Sequence, residues 1–251
     1  MDENRPLQPS RGAPWILDGI DLLIFDKDGT LIEFHLMWGA WVEALASRLE
    51  HASGLELRER LYPLLGVDRS TGLVHAHGLL AATPMSRIRE AVQAHVAEAG
   101  AGPAVARDAV AAAWHAPDPV ALAQPVTDLR ALLGRLRSRV ATFAVATSDD
   151  RRPTERTLAA LGVAGEFGAL TCADDGIRTK PAPDPVLHLC GLLGVAPSRT
   201  AVVGDSPADL VMARSAGSAR AIAVLTGVGD RSSLAPFADI VLGSIADLAP
   251  A

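Results

Sequence analysis

Cysteine, basic residues and long apolar segments are all scarce in this sequence of 251 residues. The two cysteines, Cys172 and Cys190, lie in apolar surroundings outside any CxxC motif, which is typical of buried thiols in a reducing compartment rather than of a disulfide framework. Lysine and arginine together number 23 against 29 acidic residues, which gives a net charge of −6. With a pI near 5.6 and no basic run, the chain lacks the charge that non-specific binding to nucleic acid or an anionic membrane requires.

The apolar segments are also too short for a membrane span, which needs about 20 residues. The N-terminal sequence MDENRPLQPSRGAPW is polar, contains proline and lacks the apolar stretch of a signal peptide. We therefore expect a cytoplasmic protein that binds neither nucleic acid nor membrane, with a flexible tail over residues 1–16. Hydrophobic residues make up 49% of the chain, which allows a substantial core in one domain, or in one domain with a smaller inserted one.

Short apolar segments that alternate with helical patterns predict a parallel β-sheet. The first strand is expected at 21–25, and later strands are expected at 140–146, 169–172, 200–203, 221–224 and 239–242. Because these strands are apolar throughout, helices should cover both faces of the sheet. The predicted fold class is therefore α/β, with three layers built around a mainly parallel sheet.

The long region between the first two strands lacks strand patterning and predicts a helical domain. One helix face is indicated by apolar residues at the i, i+3, i+4, i+7 and i+11 spacing, namely Trp38, Trp41, Val42, Leu45 and Leu49. A second helix is expected over 83–99 and a third over 103–114. We predict that residues 33–124 form a helical domain inserted into a core made of residues 17–32 and 125–251.

Polar residues follow the expected strands at the points where sites form in open α/β sheets. Asp26-Lys27-Asp28-Gly29-Thr30 follows the first strand, and Thr147-Ser148 follows the second. Lys180 lies after the third, and Asp205 and Asp209 follow the fourth. Several carboxylates around one point need a cation, and carboxylate oxygens without His or Cys partners suit Mg²⁺, which usually also binds a substrate phosphate.

These side chains are the ones that phosphoryl transfer requires. Asp26, at the strand end, can attack phosphorus, while Mg²⁺ and Lys180 offset charge on the phosphoryl oxygens. Thr147 or Ser148 can donate a hydrogen bond to a phosphoryl oxygen. Asp28 can protonate the leaving oxygen and then take a proton from the water that hydrolyses the aspartyl-phosphate. Gly29 allows the backbone to turn sharply and to approach a ligand.

The four segments resemble the phosphatase branch of the haloacid dehalogenase superfamily. Its pattern of DxDGT, a strand-end Thr or Ser, KPxP and GDxxxD is matched in order by residues 26–30, Thr147, 180–183 and 204–209. The run GDxxxDxxxAxxAG over residues 204–217 is similar to the phosphoglycolate phosphatase-like enzymes. The resemblance implies a Rossmann-like core, and a cap formed by the inserted helices that closes over the substrate.

The resemblance also implies roles for individual residues. Asp26, the backbone carbonyl of Asp28 and Asp205 are implied to bind Mg²⁺. Asp209 is implied to support the metal through water or to orient Lys180. The residues expected to bind the substrate are Thr30, Thr147, Ser148 and Lys180.

The resulting interpretation is a Mg²⁺-dependent phosphomonoester hydrolase for a small phosphorylated metabolite, present as a monomer or homodimer. A phosphomutase of the β-phosphoglucomutase type uses the same four motifs and stays open as an alternative. A haloacid dehalogenase needs no second acid at Asp28, and a non-catalytic binding module has no need of both Asp26 and Asp28. The sequence does not identify the substrate, and the inserted residues to test for substrate contact are His35, Arg69, His77 and Arg87.

Other polar residues have structural alternatives. Thr147 could cap a helix, and Asp209 could cap its own helix while still serving the site. His75 and His77 suggest a second metal site, but no third ligand accompanies them, so a solvated pair is favoured. The residues interpreted as surface charges, caps or turns are Asp149, Asp150, Arg151, Asp174, Asp175 and Arg178.

Overall fold

The structure is a computed structural model that describes residues 14–75, 78–83, 85–115, 118 and 120–249. These residues form two compact units. The first contains the described residues up to Phe34 and from Val120 onwards, and the second contains those from His35 to Asp118. Within the described ranges, no helix is both long enough and apolar enough to cross a membrane.

Among the described residues, the strands lie in the first unit, whereas helices occur in both. The strands are β1 (Leu22–Phe25), β2 (Thr142–Ala146), β3 (Phe167–Thr171), β4 (Thr200–Gly204), β5 (Arg220–Val224) and β6 (Ile240–Leu242). The helices are α1 (Phe34–Ser53), α2 (Arg58–Leu65), α3 (Leu79–Ala82), α4 (Met85–Val96), α5 (Pro103–Ala113), α6 (Leu129–Leu136), α7 (Arg151–Ala160), α8 (Asp184–Leu193), α9 (Pro207–Ser215) and α10 (Arg231–Leu234).

The six strands form one parallel sheet in the order β3-β2-β1-β4-β5-β6. β1 lies between β2 and β4, and Phe25 pairs with Val145 on one side and with Val203 on the other. Every residue of β1 is buried, because a central parallel strand has neighbours on both edges and helices on both faces. The predicted parallel α/β sheet is confirmed.

Side chains alternate between the two faces of the sheet and meet a different set of helices on each face. Leu23 and Phe25 belong to a core packed against α6, α7 and the turn of Ile245–Leu248. Leu22 and Ile24 belong to a second core packed against α8, α9 and α10. The three-layer arrangement is therefore confirmed, and apolar contacts join the sheet to the helices on both faces.

The second unit is built from α-helices, and α1 supplies much of its core. Trp41, Leu45 and Leu49 on the predicted face of α1 are fully buried. The ring of Trp41 makes edge contacts with Trp38 at 5.6 Å and Trp114 at 5.5 Å between centroids. Such geometry is the preferred one for aromatic pairs, so the aromatic residues stabilise this unit from within.

The ends of several elements differ from the predicted ones. α6 begins at Leu129, because the Asp128 carboxylate accepts a hydrogen bond from the Ala131 amide at 3.0 Å and caps the helix there. α4 begins at Met85 rather than at 83 and is followed by a π-turn at Ala97–Ala101. Of the expected tail, residues 1–13 lie outside the described residues, and the rest joins the 3₁₀ turn of Pro14–Leu17.

Candidate active site

The strand order brings the predicted site residues to the carboxyl edge of the sheet. Asp26 directly follows β1, and its amide donates to the Val203 carbonyl of β4 at 2.8 Å. Because β2 and β4 flank β1, Thr147 and Asp205 lie at the ends of its two neighbours. The edge of the sheet thus gathers residues that are more than 170 positions apart in sequence.

Lys180 connects the first and fourth strand ends from the segment between β3 and α8. Its ammonium forms an ion pair with Asp26 Oδ1 and lies 2.6 Å from Asp209 Oδ1. The Lys180 side chain is only 5% exposed, so these two carboxylates replace the water that the ammonium loses. The predicted neighbourhood of Asp26, Lys180 and Asp209 is therefore present in the structure.

Asp205 lies beside the same group, and no cationic side chain of the described residues contacts it. Its Oδ2 accepts a hydrogen bond from the Val228 amide at 2.8 Å, and its Oδ1 accepts one from the Thr30 hydroxyl at 3.4 Å. Asp26, Asp205 and Asp209 each offer a carboxylate oxygen, and the three oxygens lie within 4.8 Å of one another. The three carboxylates outnumber the single ammonium of Lys180, which leaves an excess of negative charge at this point.

Asp209 has a second function as a helix cap. Its Oδ2 accepts a hydrogen bond from the Ser206 amide at 3.1 Å, while the Asp209 amide donates to the Ser206 hydroxyl at 3.4 Å, and these two contacts form a capping box at the start of α9. Since Oδ1 faces Lys180 while Oδ2 serves the cap, the two predicted roles are compatible. The helix start therefore fixes the direction of the carboxylate that meets Lys180.

Gly29 makes the close packing around Asp205 possible. Its φ of +85° is in the region that favours glycine, and a Cβ at this position would lie 2.6 Å from Asp205 Oδ2. The Thr226 hydroxyl donates to the Gly29 carbonyl at 2.5 Å and connects this turn to the segment after β5. The absence of a side chain at Gly29 thus leaves the space that the Asp205 carboxylate occupies.

Asp28 belongs to a second charge group formed with Lys27 and Asp149. The Lys27 ammonium lies 2.6 Å from Asp28 and 2.9 Å from Asp149 Oδ2, and its side chain is 2% exposed. Sequence reasoning missed Lys27, because the DxDGT pattern leaves that position open. The available signal was Asp149, an acid directly after the Thr147-Ser148 pair at the adjacent strand end.

Thr147 and Ser148 complete the edge at the end of β2. Thr147 is buried, its amide donates to the Thr171 carbonyl at 2.9 Å, and its hydroxyl accepts from the Asp149 amide at 3.1 Å. Asp150 is the residue that precedes α7 as its N-cap, so the alternative that Thr147 caps this helix is wrong. Ser148 is exposed at the same edge.

Burial and mutual repulsion perturb the titration of the acids. Burial raises the pKa of Asp26 to about 7, with Lys180 opposing the change and Asp209 adding to it. Burial, followed by repulsion from Asp26 and Asp209, raises the pKa of Asp205 well above its ordinary value. Burial lowers the pKa of Lys180, but Asp209 and Asp26 outweigh it and raise the pKa overall. The site therefore favours an additional cation close to Asp205.

The comparison with known proteins agrees with this arrangement. A sequence model described as haloacid dehalogenase-like hydrolase matches residues 20–217. The chain belongs to this family. The match confirms the resemblance that the motifs predicted, and it confirms that the chain belongs to a family of enzymes.

Related proteins of this hydrolase family carry phosphatase names. A phosphoglycolate phosphatase of Rhodospirillum rubrum is 32% identical over 78% of this chain and 76% of its own length. Another from Chromobacterium violaceum is 38% identical over 46% of this chain and 51% of its own length, so the matched region spans about half of that relative. A validoxylamine A 7'-phosphate phosphatase of Streptomyces hygroscopicus subsp. limoneus is 29% identical over 77% of this chain and 81% of its own length.

Solved structures share the fold of this hydrolase. A haloacid dehalogenase-superfamily hydrolase of subfamily IA from Geobacter sulfurreducens has a TM-score of 0.64 at 19% identity, covering 90% of this chain and 93% of its own. A family member from Deinococcus radiodurans, solved with bound phosphate and sodium, has a TM-score of 0.63 at 21% identity, covering 92% and 93%. At these identities the comparison supports the fold alone.

The remaining candidate residues of the hydrolase core lie in structural ion pairs or turns. Arg151, expected at the surface, is 38% exposed and binds both carboxylate oxygens of Asp175 at 2.8 and 2.7 Å. Asp174 accepts a hydrogen bond from the Arg151 amide, and Arg178 pairs with Asp184. Cys172 and Cys190 are free thiols and buried, as expected.

Three of the four residues that were selected for substrate contact, His35, Arg69 and Arg87, have partners within the second unit. Arg69 pairs with Glu59, and Arg87 lies 2.9 Å from Glu90. The Nδ1 atom of His35 accepts a hydrogen bond from the Val74 amide at 3.0 Å. His75 is exposed, whereas His77 lies outside the described residues.

Proposed function

We propose that the protein is a Mg²⁺-dependent phosphomonoester hydrolase that acts on a small phosphorylated metabolite through an aspartyl-phosphate intermediate. The observation that carries the proposal is the contact between Asp26, at the end of the central strand, and Lys180, with the carboxylates of Asp205 and Asp209 within 4.8 Å. The phosphatase names of the relatives from Rhodospirillum rubrum and Chromobacterium violaceum support the same reaction class.

Asp26 is the proposed nucleophile. A carboxylate oxygen of Asp26 forms a bond to phosphorus while the bond from phosphorus to the leaving oxygen breaks, and the leaving oxygen takes a proton from Asp28. Water then attacks the phosphorus, Asp28 accepts a proton from it, and the Asp26 carboxylate is released with inorganic phosphate. The ion pair with Lys180 fixes the direction of the Asp26 carboxylate for the first step.

Two hydroxyl groups are proposed to bind the phosphate, and a third to orient Asp205. Thr147 and Ser148 follow the strand next to Asp26, where their hydroxyls can donate to phosphoryl oxygens. Thr30 was also predicted to bind substrate. Because Thr30 is fully buried and its hydroxyl donates to Asp205, its contacts support orienting Asp205 more than contacting the phosphate directly.

The donor set fits a magnesium ion. Asp26, Asp205 and the backbone carbonyl of Asp28 would hold it, and Asp209 would act beside it through Lys180 or water. Oxygen donors of this kind suit Mg²⁺. Among the residues that the structure describes, no cationic side chain contacts Asp205, although burial and two neighbouring acids raise its pKa. When bound, Mg²⁺ would offset the negative charge of the phosphoryl oxygens.

A small phosphate ester is the proposed substrate. The charge and the cysteines of the chain support the proposal that it acts in the cytoplasm on a molecule other than a nucleic acid. The net charge of −6 argues against a polyanionic partner such as nucleic acid. Free buried thiols at Cys172 and Cys190 support the cytoplasm. Phosphoglycolate is the first ester to test because two of the relatives are named for its hydrolysis.

The test is a screen for phosphate release from phosphorylated metabolites with Mg²⁺ or with a chelator. We expect the Asp26→Asn variant to lose about 10⁴-fold or more in turnover, because the nucleophile is removed. Asp174→Asn, an exposed acid at the same edge, is the matched control and should keep its activity. Phosphate release that persists in Asp26→Asn, or interconversion of sugar phosphates without phosphate release, would overturn the proposal.

A further inference from the structure

Lys27 connects the first two strand ends through a buried ion cluster. Its ammonium lies 2.6 Å from Oδ1 of Asp28, 2.6 Å from Oδ2 of Asp28 and 2.9 Å from Oδ2 of Asp149. The ammonium, which has three N–H donors, is thus surrounded by oxygens of two carboxylates. Asp28 follows β1 and Asp149 follows β2, so the side chain of Lys27 joins the two segments.

The cluster is buried on the side of Lys27 and open on the side of the acids. The side chain of Lys27 is 2% exposed, whereas those of Asp28 and Asp149 are 20% and 47% exposed. A lysine is rarely buried to this degree unless it is paired. The lysine therefore contacts the Asp28 carboxylate from the buried side, and part of the carboxylate stays accessible to a reacting group.

The backbone of the turn does not depend on this side chain. The Lys27 carbonyl accepts hydrogen bonds from the amides of Leu31 at 2.9 Å and Ile32 at 3.1 Å. These contacts close the turn through main-chain atoms that any residue at position 27 would supply. The ammonium therefore acts on the direction of Asp28 rather than on the path of the chain.

We propose that Lys27, with Asp149, is a positioning pair that fixes the carboxyl group of Asp28 for proton transfer, an inference that rests on the proposed phosphatase function. Lys27 touches neither substrate nor phosphorus in this proposal. It restricts the rotation of Asp28, so that the carboxyl proton meets the leaving oxygen as the bond to phosphorus breaks. The same orientation then lets Asp28 take a proton from the attacking water.

This role predicts a dependence on the leaving group. An alkyl phosphate releases a strongly basic alkoxide, which needs a proton in the transition state. A nitrophenyl phosphate releases a stable phenolate that needs little assistance. Loss of the positioning pair should therefore slow the alkyl ester far more than the aryl ester, whereas a general loss of structure would slow both equally.

The experiment compares wild type with Lys27→Met, which keeps the length and apolar stem of the side chain and removes the charge. We measure kcat/KM for phosphoglycolate, or the best alkyl ester found in the screen, and for p-nitrophenyl phosphate. The expected result is a loss of about 100-fold on the alkyl ester and less than about 5-fold on the aryl ester. Slower hydrolysis of the phosphoenzyme should also produce a burst of nitrophenolate before steady state.

A second variant and a control make the outcome decisive. Asp149→Asn keeps the contact between Lys27 and Asp28, and should shift the same alkyl-to-aryl ratio by about 3- to 10-fold. Arg137→Met breaks a surface ion pair with Glu166 at 2.7 Å and should leave the ratio unchanged. Melting temperatures identify variants that fail to fold, in which case Asp149→Asn alone decides.

The inference and the proposed function fail in different ways. If wild type hydrolyses neither ester, the phosphatase proposal fails. If wild type is active but a folded Lys27→Met variant slows both esters equally, or Asp149→Asn leaves their ratio unchanged, the positioning role of Lys27 is overturned and the phosphatase proposal is untouched.

Discussion

Replacing Gly227 with alanine should disturb Asp205 from a position that carries no reactive group. A Cβ added at Gly227 would lie 2.7 Å from the Cβ of Asp205, and closer still to its carboxylate. Because carbon atoms in contact prefer about 3.5–4.0 Å, at least one of the two residues must move by about 1 Å. The segment after β5 and the Asp205 side chain cannot both keep their present positions.

The contacts around Asp205 leave little room for its carboxylate to move without losing its present partners. Gly29 also packs against the carboxylate, and a Cβ there would be 2.6 Å from Oδ2. The amide of Val228, next to Gly227, holds Oδ2 at 2.8 Å, so a shift of the segment also pulls on the carboxylate. The carboxylate therefore packs tightly against both glycines, and displacement of the acid is the expected response to the added methyl group.

The expected consequence is a large loss of activity with a weaker response to Mg²⁺. A displacement of about 1 Å at a reacting centre can cost about 100-fold in rate, so kcat/KM should fall by about that factor. The Mg²⁺ concentration for half-maximal phosphate release should rise, and the gain in melting temperature on adding Mg²⁺ should shrink. Both titrations are made on the same preparations, with circular dichroism to establish folding.

Gly191→Ala is the matched control for this substitution. Gly191 lies within α8, and a Cβ there meets no atom within 4 Å outside its own helix. Alanine in a helix interior is favoured over glycine by about 0.5–1 kcal/mol, so this variant should be at least as stable as wild type and fully active. Wild-type activity and an unchanged Mg²⁺ titration in Gly227→Ala would refute the steric argument.

Two further predictions concern stability. Leu133→Ala should lower the free energy of unfolding by about 2–5 kcal/mol in urea titrations, because the Leu133 side chain on α6 is fully buried in the core. The control Leu187→Ala, at a side chain that is 47% exposed, should change this free energy little. Hydrogen bonds from the Ser233 amide and the Ser232 hydroxyl lower the pKa of Asp230 to about 2, from an ordinary value of 3.8. A pKa that is lower in the folded state stabilises the protein above pH 3.8, and this stabilisation is lost as the pH falls towards 2. The difference in urea midpoint between wild type and Asp230→Ala should therefore narrow from pH 6 to pH 3. A difference that stays constant would contradict this assignment.

The sheet was predictable because its strands are uniformly apolar and separated by helical patterns. The helix α2 was not, because Pro63 lies inside it and proline is disfavoured in a helix interior. Its apolar residues Leu61, Tyr62 and Leu65 are nevertheless buried, so tertiary packing outweighs the local preference. Local sequence predicts an element well only where propensity and burial agree.

The site was predictable to the extent that its residues carry charge. Asp26, Asp205 and Lys180 stand out after apolar strands, and the parallel topology brings strand ends together. Gly227 and Val228 do not stand out in the sequence. Gly227 contributes only the space that a side chain would fill, and Val228 contributes only its backbone amide to Asp205. Such contributions depend on the close approach of two segments, which single-sequence patterns do not contain.

The structure also answers why two carboxylates follow one buried strand two positions apart. β1 ends at Phe25, so Asp26 and Asp28 lie beyond the strand, and each carboxylate meets a different lysine. Lys180 pairs with Asp26, whereas Lys27 pairs with Asp28. Sequence reasoning assigned the balance of both charges to a metal, Lys180 and phosphate, and did not include Lys27.

Separate lysines suit the separate duties proposed for the two acids. A nucleophile must be a carboxylate, and Lys180 favours that form of Asp26 against the burial that raises its pKa. An acid that later acts as a base must hold a proton and release it. Burial raises the pKa of Asp28 and Lys27 opposes this change only in part, which favours a group that holds a proton until the leaving oxygen needs it. Because Lys27 also contacts Asp149, it can orient Asp28 from the end of the adjacent strand.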